Sequence, residues 1–265
     1  MSWLERGGRF LLLGMVHLPP LPGSPRWGGS MAAVLERAVR DAAVLVEAGF
    51  DGVVVENFGD TPFHPGPVPP ETVAAMTRAA AAVREAIGPE RLLGVNVLRN
   101  DARAALAVAV AAGAAFVRVN VHTGAMWTDQ GLLEGRAWET LRERARLGAE
   151  HVAILADVLV KHGVPPVPVD PARAAAEAAG RGLADALIVT GEATGEPADP
   201  RRLEAVREAV AVPVFAGSGV TPETLPALAG RADGAIAGTA LKRDGDTAAP
   251  VDPERAAAMV AARPR

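Results

Sequence analysis

Eight short apolar runs recur along the chain, and a segment with helical signals follows each of them. The runs span residues 10–16, 52–56, 92–98, 116–121, 152–157, 186–190, 212–216 and 234–237. Most of them are apolar at nearly every position and do not alternate with polar residues. Continuous apolar runs are typical of strands that are covered on both faces, as the strands of a parallel sheet are. The pattern therefore predicts eight parallel strands separated by helices.

Helix boundaries are marked between these runs. A capping residue directly before a proline is a strong signal for a helix start, and it occurs at Asp170-Pro171, Asp199-Pro200, Thr221-Pro222 and Asp252-Pro253. Glycines stand where helices should end, at Gly49, Gly113, Gly148 and Gly180. Eight strand–helix units in 265 residues predict an α/β fold, a TIM (β/α)8 barrel, with an open doubly wound sheet as the alternative. We predict a single domain over residues 1–265, with residues 1–9 as an N-terminal extension.

Composition narrows the classes of function. The net charge is −4 and the basic residues form no stripe, so nucleic acid is not expected as a partner. The absence of cysteine excludes disulfides, zinc–thiolate sites and a thiol nucleophile. No apolar stretch approaches the roughly 20 residues that cross a bilayer, and the N-terminus lacks a signal-peptide pattern. We therefore expect a cytoplasmic protein that does not insert into membranes.

Two strand–helix connections are long, at residues 57–70 and 122–134. Long loops in a compact domain are usually functional. In a barrel both would emerge on the rim formed by the carboxyl ends of the strands. We predict that they act as lids over a site.

Polar residues stand where the predicted strands end, and in a barrel these positions converge on one pocket. Burial of unpaired polar groups is costly, so a ring of them on successive strand ends indicates a site. The ring comprises His17, Glu56, Asn57, Asn96, Arg99, Asn120, His122, Asp157 and Thr190.

Three of these residues are candidates for catalysis. Glu56 is the best general acid or base, because a carboxyl group among apolar strand residues should have a raised pKa. His17 is expected to exchange protons with the substrate as well. For Asp157, three roles stay open: a metal ligand, a partner that orients His17, or an ion pair with Lys161.

Substrate contacts are predicted for Asn57, Asn96, Arg99, Asn120 and Thr190. Asn96 and Asn120 lie inside their strands, where their amides could instead satisfy hydrogen bonds of the barrel core. 

Other basic groups lie near the strand ends. Arg118 either shares the inner face or pairs with Glu56, and Lys161 and His162 are expected on a solvated helix face. 

The ends of the last two strands carry glycine turns, Gly217-Ser218-Gly219 and Gly238-Thr239. Glycine lets backbone N–H groups approach an anion closely, and a following helix adds its dipole. Barrels hold a substrate's phosphate at this place. We therefore predict that these five residues bind phosphate, although glycines can also serve only to make tight turns.

Metal chemistry is weakly indicated. His17, Glu56, His122 and Asp157 are ligand types, but no spacing typical of a transition-metal site occurs. No cofactor is predicted, and Mg²⁺ held by Glu56 or Asp157 with a phosphate ligand is the alternative.

Several segments resemble the BtpA/SgcQ family from about Leu11 to the end of the chain. They lie at residues 14–25 (GMVHLPPLPGSP), 55–60 (VENFGD), 94–101 (GVNVLRND), 116–121 (FVRVNV), 128–131 (TDQG), 156–162 (ADVLVKH), 217–220 (GSGV) and 238–242 (GTALK). The resemblance implies a barrel related to the ribulose-phosphate-binding superfamily. The family carries two labels, a photosystem I biogenesis factor and a nucleosidase or sugar-metabolism protein, and neither comes with a settled reaction.

The preferred hypothesis is an enzyme that acts on a phosphorylated sugar or nucleotide-derived metabolite. Isomerisation, lyase-type aldol cleavage and nucleosidase chemistry all fit general acid/base catalysis in such a site. A Schiff-base aldolase would need a desolvated lysine, and Lys161 is the only candidate near a strand end, which disfavours that reaction. The alternative is a non-catalytic assembly factor on a barrel scaffold. A homo-oligomer is expected by default.

Overall fold

Eight parallel strands close into a barrel in the computed structural model, which describes residues 3–264. Numbered along the chain, these strands are β1 (Leu11–His17), β2 (Gly52–Glu56), β3 (Leu92–Asn96), β4 (Phe116–Val119), β7 (Ala153–Val158), β9 (Ala186–Val189), β10 (Val214–Ala216) and β11 (Gly234–Ala237). Each pairs with the next barrel strand along the chain, and β1 also pairs with β11. The predicted TIM barrel is confirmed, and the open sheet is excluded.

Seven α-helices surround the barrel within the described residues: α1 (Met31–Ala48), α2 (Pro70–Ile87), α3 (Ala102–Ala112), α4 (Ala137–Arg146), α5 (Pro171–Gly180), α6 (Pro200–Ala209) and α7 (Pro253–Ala261). The side chains of Asp170, Asp199 and Asp252 cap their helices as predicted, each by accepting a hydrogen bond from a backbone N–H.

The prediction that an α-helix begins at Thr221-Pro222 was wrong. Only a short 3-10 helix, Leu225–Leu228, follows β10. The hydroxyls of Thr221 and Thr224 accept hydrogen bonds from each other's backbone N–H, which fixes the segment in a compact turn. This reciprocal pattern is that of a capping box, so the local signal for a helix start is present, but no α-helix extends from it. The α-helix whose dipole was expected beside Gly219 is therefore missing from this unit. 

The predicted lid at residues 122–134 is a β-hairpin, not an irregular loop. It consists of β5 (Ala125–Thr128) and β6 (Gly131–Glu134), and β8 (Gly163–Val164) completes a three-stranded antiparallel sheet. The inner face packs on the rim through Met126 and Leu133. The outer face carries Trp127, with Leu132 and Val164 as its cross-strand neighbours; these three side chains form the apolar row, and they are 55%, 42% and 66% exposed.

The interior of the barrel near the amino ends of its strands is filled with side chains. Leu13, Val54, Phe116, Leu155 and Phe215 belong to one buried apolar cluster in the interior. Gly94 makes room for this filling, because a Cβ atom there would lie 2.2 Å from the Phe116 ring. The ring of Trp3 packs against Phe116, with centroids 5.5 Å apart, where β4 begins. Among residues 3–264, the interior of the barrel is therefore filled near the amino ends of the strands, and it opens at their carboxyl ends.

No helix in the described part of the chain combines the length and the apolarity that crossing a bilayer would require.

Candidate active site

A cavity of about 460 Å³ opens at the carboxyl ends of the barrel strands. A second cavity of about 30 Å³ lies beside it, and both are lined by Glu56, Phe58, Arg118, Lys161 and Thr194. The two cavities, here called the main and the small cavity, therefore form one site. Surface clefts of about 500 and 580 Å³ lie on the outer side of the barrel and near the amino ends of its strands, and they contain none of the predicted catalytic residues.

The strand register brings several predicted residues together. His17 is paired with Glu56, Glu56 with Asn96, and Asn96 with Arg118 across four neighbouring strands. Because paired residues of neighbouring parallel strands project to the same face of the sheet, these four side chains share one face near the open end of the barrel. His17, Glu56 and Arg118 line the small cavity.

Arg118 is the centre of a hydrogen-bonded network in the barrel. Its Nε and Nη2 atoms each donate to Asp157, at 2.9 Å to Oδ1 and 2.9 Å to Oδ2. Asn120 donates to Asp157 Oδ2 at 2.9 Å, and Asn96 donates to Asn120 Oδ1 at 3.2 Å. Burial by itself would lower the pKa of Arg118. The charge and the hydrogen bonds of the Asp157 carboxylate outweigh burial and keep that pKa raised.

This network corrects the roles that were left open for Asp157. Its carboxylate neither orients His17 nor pairs with Lys161, because both oxygens are taken by Arg118 and Asn120. Arg118 pairs with Asp157 and not with Glu56. Asp157 is therefore a positioning residue that holds the Arg118 guanidinium in the cavity wall, and a bidentate pair is well suited to that task.

Glu56 keeps its place as the candidate acid or base. Its carboxyl group is buried, and burial raises its pKa, while the positive charges of Arg118 and Lys161 act in the opposite direction. Its Oε1 atom lies 3.7 Å from His17 Nε2. A carboxyl group with a raised pKa keeps its proton to a higher pH than an ordinary glutamate does, so it is suited to exchange a proton with a bound ligand.

His17 is held as a neutral imidazole. Burial, followed by the positive charge of Lys242, lowers its pKa to about 3. Its ring stacks on Phe58, with centroids 4.5 Å apart. A neutral ring at this position can donate or accept a hydrogen bond, but it does not carry a proton as imidazolium at ordinary pH.

Three predicted substrate contacts have other partners. The Asn57 amide donates to Asp60 and accepts from the Leu98 N–H at 2.7 Å, which ties two rim loops together. The Thr190 hydroxyl accepts from the Lys161 N–H at 3.1 Å. Asn57, Thr190 and Asn96 line neither cavity, whereas Arg99 and Asn120 line the main one.

The predicted phosphate residues lie at the small cavity, with one exception. Gly217, Ser218, Gly238 and Thr239 line it. Gly219 is covered by the loop that follows β9, because a Cβ atom there would lie 2.0 Å from the backbone nitrogen of Pro197. The Ser218 hydroxyl is used by the same loop, since it accepts from the Gly191 N–H and donates to the Glu196 carbonyl.

The expectation that Lys161 lies on a solvated helix face was wrong. It stands in a turn after β7 and not on a helix, and its side chain lines both cavities. His162 is exposed and lines the main cavity. His122, in contrast, is buried outside the site, where Nε2 lies 2.8 Å from the Gly182 carbonyl oxygen. 

Both long connections reach the cavity. The segment after β2 contributes Phe58, Thr61 and Phe63, and the β5–β6 hairpin contributes Asp129 at its turn.

Within residues 3–264, no group of three or more His, Asp or Glu side chains is arranged to hold a metal ion.

The model of the BtpA family matches residues 10–264. The chain belongs to the BtpA family. Among its relatives, the photosystem I biogenesis protein BtpA of Synechocystis is 46% identical over 95% of this chain and 87% of that protein. An uncharacterized member of the family from Thermococcus kodakarensis is 48% identical over 94% of this chain and 93% of its own length.

Solved structures with the same fold are distant in sequence. Phosphoribosyl anthranilate isomerase of Thermus thermophilus aligns with a TM-score of 0.60 at 15% identity, over 96% of this chain and 98% of that one. Thiamine phosphate pyrophosphorylase of Pyrococcus furiosus gives 0.60 at 15% identity, over 96% and 94%. At this identity the similarity shows only that this chain shares the barrel fold of these proteins.

The buried ion pair predicts a large effect for Asp157→Asn. The substitution leaves the Arg118 guanidinium buried without a counter-charge, which typically costs about 3–5 kcal/mol. Asp129→Asn is the matched control, because Asp129 is exposed at the same cavity and makes no ion pair among the described residues. Chemical denaturation measures the unfolding free energy of both variants. Equal unfolding free energies for the two variants would contradict the role assigned to Asp157.

Glu56→Gln should change how stability depends on pH. Because burial raises the pKa of Glu56, the folded protein loses stability as pH rises through that pKa, and Gln removes this loss. Below about pH 4, the pKa of a glutamate in the unfolded state, the variant and the wild type should melt alike. The advantage of the variant should grow as pH rises from there and level off above the pKa of the folded state. Melting curves across this range test the expectation. Glu47→Gln, on the exposed face of α1, should show no such trend.

Proposed function

We propose that this protein is an enzyme that acts on a phosphorylated sugar or nucleotide-derived metabolite by general acid/base catalysis. The proposal depends on one observation: a buried carboxyl group with a raised pKa, Glu56, faces the same cavity as the Arg118 guanidinium and the Lys161 amine. Perturbed ionisable groups that meet in a cleft are typical of active sites.

The charges around the site favour an anionic ligand. Arg99, Arg118 and Lys161 line the main cavity, against Glu56 and Asp129 as acidic groups. Asp157 balances the charge of Arg118, but the guanidinium still presents N–H groups beyond the two that bind the carboxylate, and these can donate hydrogen bonds to an anionic ligand. The names of the two solved neighbours, an isomerase of a phosphoribosyl compound and a pyrophosphorylase of thiamine phosphate, agree with a phosphorylated ligand.

We place the phosphate at Gly217, Ser218, Gly238 and Thr239, where backbone N–H groups can approach its oxygens. The small cavity of about 30 Å³ has room for roughly two water molecules, which is less than a phosphate needs. Thr194 and Gly195 form one of its walls, so phosphate binding at this place requires the loop after β9 to move outward. Such closing and opening loops are common in barrel enzymes.

The roles follow from the state of each group. Glu56 transfers a proton to or from the substrate, His17 contributes a neutral hydrogen bond, and Arg118 stabilises developing negative charge. Isomerase, lyase and nucleosidase reactions all use these parts. The scheme needs no cofactor; if Mg²⁺ takes part, Glu56 and the substrate's phosphate would hold it. We place this activity in the cytoplasm.

Ligand-induced stabilisation tests the proposal. Ribose 5-phosphate should raise the melting temperature, whereas ribose should not, and a ligand at 100 times its Kd adds about 2.7 kcal/mol. Gly238→Val should abolish the difference, because a side chain there projects towards Met15 and His17 and fills the small cavity. Gly28→Val is the control, since a Cβ atom at Gly28 has no neighbour within 4 Å. Equal shifts with ribose and ribose 5-phosphate would contradict phosphate recognition.

A second candidate function is that of a non-catalytic assembly factor, possessing a partner-binding face. The apolar row of Trp127, Leu132 and Val164 favours it, because large exposed apolar side chains in contact with one another often mark a binding surface. The name of the Synechocystis relative, a photosystem I biogenesis protein, agrees with this function. A second copy of the chain would fit the same face in the homo-oligomer that we expect.

Complementation of a strain that lacks the gene separates the two functions. If the protein acts as an enzyme, the Glu56→Gln variant should fail to restore growth and the Trp127→Glu variant should restore it. If the protein is an assembly factor, the two variants should behave in the opposite way. Val110→Glu, on the outer side of α3 and 38% exposed, is the control for adding a charge to the surface. Light scattering of the Trp127→Glu variant reports in parallel whether the apolar row joins copies of the chain.

A further inference from the structure

Lysine is rare in this protein, and its two positions are unlike each other. Of the 27 Lys and Arg residues, only Lys161 and Lys242 are lysines. Lys242 is fully buried, and its Nζ atom lies 3.1 Å from Asp41 Oδ2, so it has a structural partner outside the site. Lys161 lines both cavities and forms no ion pair with a carboxylate among the described residues. A chain that uses arginine for nearly every other positive charge has kept an amine at the centre of its site.

The turn that carries Lys161 is fixed from several sides. Its backbone N–H donates to the Thr190 hydroxyl at 3.1 Å, and its carbonyl oxygen accepts from the Arg99 guanidinium at 2.7 Å. Leu159 and His162 have left-handed backbone conformations, with φ of 51° and 57°. Such conformations are costly for residues other than glycine, and they cluster at functional sites.

An arginine from an outer helix completes the support. Arg202 of α6 donates to the carbonyl oxygens of Val158 and Leu159, at 2.6 and 2.8 Å. The turn is therefore hydrogen-bonded along residues 158–161 by side chains from three other parts of the chain. Support of this kind keeps a reactive group in a productive position.

The surroundings favour the uncharged amine. Burial, followed by the positive charge of Arg118, lowers the pKa of Lys161 to about 8, although Glu56 and Asp157 act in the opposite direction. At pH 7 a pKa of about 8 leaves roughly one amine in ten uncharged, against roughly one in a few thousand for an ordinary lysine. An arginine cannot provide a free amine in this way, because its guanidinium stays charged.

We propose that Lys161 is the nucleophile of this site and forms an imine with an aldehyde or ketone substrate, with Glu56 as its proton donor. The inference rests on the proposed function and narrows its substrate to a phosphorylated carbonyl compound, such as an open-chain sugar phosphate. It also revises the expectation that a Schiff base is disfavoured here, because that expectation placed Lys161 on a solvated helix face.

The chemistry balances with the groups present. The lone pair of the Lys161 amine attacks the carbonyl carbon, and proton transfer from nitrogen to oxygen gives a carbinolamine. Glu56, as the carboxylic acid, protonates the hydroxyl, which leaves as water while the nitrogen lone pair forms the C=N bond. The products are a protonated imine and the Glu56 carboxylate. The carboxylate can then accept a proton from the neighbouring carbon, because the iminium withdraws electrons from it.

This intermediate favours some of the candidate reactions over others. An iminium assists isomerisation and cleavage of a C–C bond next to the former carbonyl. It gives no assistance to hydrolysis of an N-glycosidic bond. The inference therefore selects isomerase or lyase chemistry over nucleosidase chemistry.

Reductive trapping tests the inference without knowledge of the natural substrate. The full-length protein is incubated at pH 7.5 with dihydroxyacetone phosphate, dihydroxyacetone, ribose 5-phosphate or ribose, each with sodium cyanoborohydride, and analysed by intact mass and peptide mapping. We expect one reduced adduct per chain, located on Lys161, with Lys242 unmodified as an internal control. Lys161→Arg keeps the positive charge and should lower the yield at least tenfold.

Glu56 is tested in the same assay. Glu56→Gln should slow adduct formation at Lys161 at least tenfold, whereas Glu47→Gln should leave the rate unchanged. If Lys161→Arg does not fold, the peptide map of the wild-type protein still decides, because it locates the adduct directly. Absence of an adduct on Lys161 with all four compounds, or adducts at the N-terminal amine alone, would overturn the inference.

The outcome can be separated from that of the proposed function. Stabilisation by ribose 5-phosphate without any Lys161 adduct would overturn the imine and leave acid/base catalysis on a phosphorylated ligand intact. An adduct that forms equally well with dihydroxyacetone and its phosphate would support the imine and contradict phosphate recognition.

Discussion

Arg118 and Asp157 form an ion pair inside the barrel, and the chemistry of the rim depends on it. A guanidinium without water needs a counter-charge and filled hydrogen bonds, and Asp157 supplies both from the neighbouring strand. Arg118 in turn acts on two ionisable groups in the cavity. It opposes the rise in the pKa of Glu56 and contributes to the fall in the pKa of Lys161. One buried cation therefore limits the rise in the pKa of the acid and lowers the pKa of the amine.

The fold could be predicted because its main determinant is visible along the chain. Strands covered on both faces must be apolar at nearly every position, and this pattern repeats eight times. The positions at which the strands end were predicted less accurately. Val97 and Leu98 are buried and apolar, yet they lie beyond β3, because a strand ends where its neighbours stop pairing and not where apolar residues stop. 

The start signal at Thr221 was read correctly, since Thr221 and Thr224 bond as a capping box, but a start signal does not give the length of the helix, and only a 3-10 turn follows.

The location of the candidate site was likewise predictable, but the partners of its residues were not. Strand ends converge in any closed barrel, so the meeting of His17, Glu56 and Arg118 at one cavity follows from topology. Whether a side chain meets the cavity or a neighbouring loop depends on its direction, which spacing does not give. Asn57 therefore proved to join two loops, and Lys161 proved to line the cavity. The scarcity of lysine was the one signal in the sequence that could have pointed to Lys161.

The hydrogen bonds from Arg202 extend the support of the candidate site beyond the residues that line it. Arg202 lies on an outer helix and lines neither cavity, yet it binds the turn that presents Lys161. Distance from the ligand is therefore a poor guide to which positions matter. A substitution at Arg202 could therefore alter the Lys161 turn from α6 while every residue that lines the two cavities stays the same.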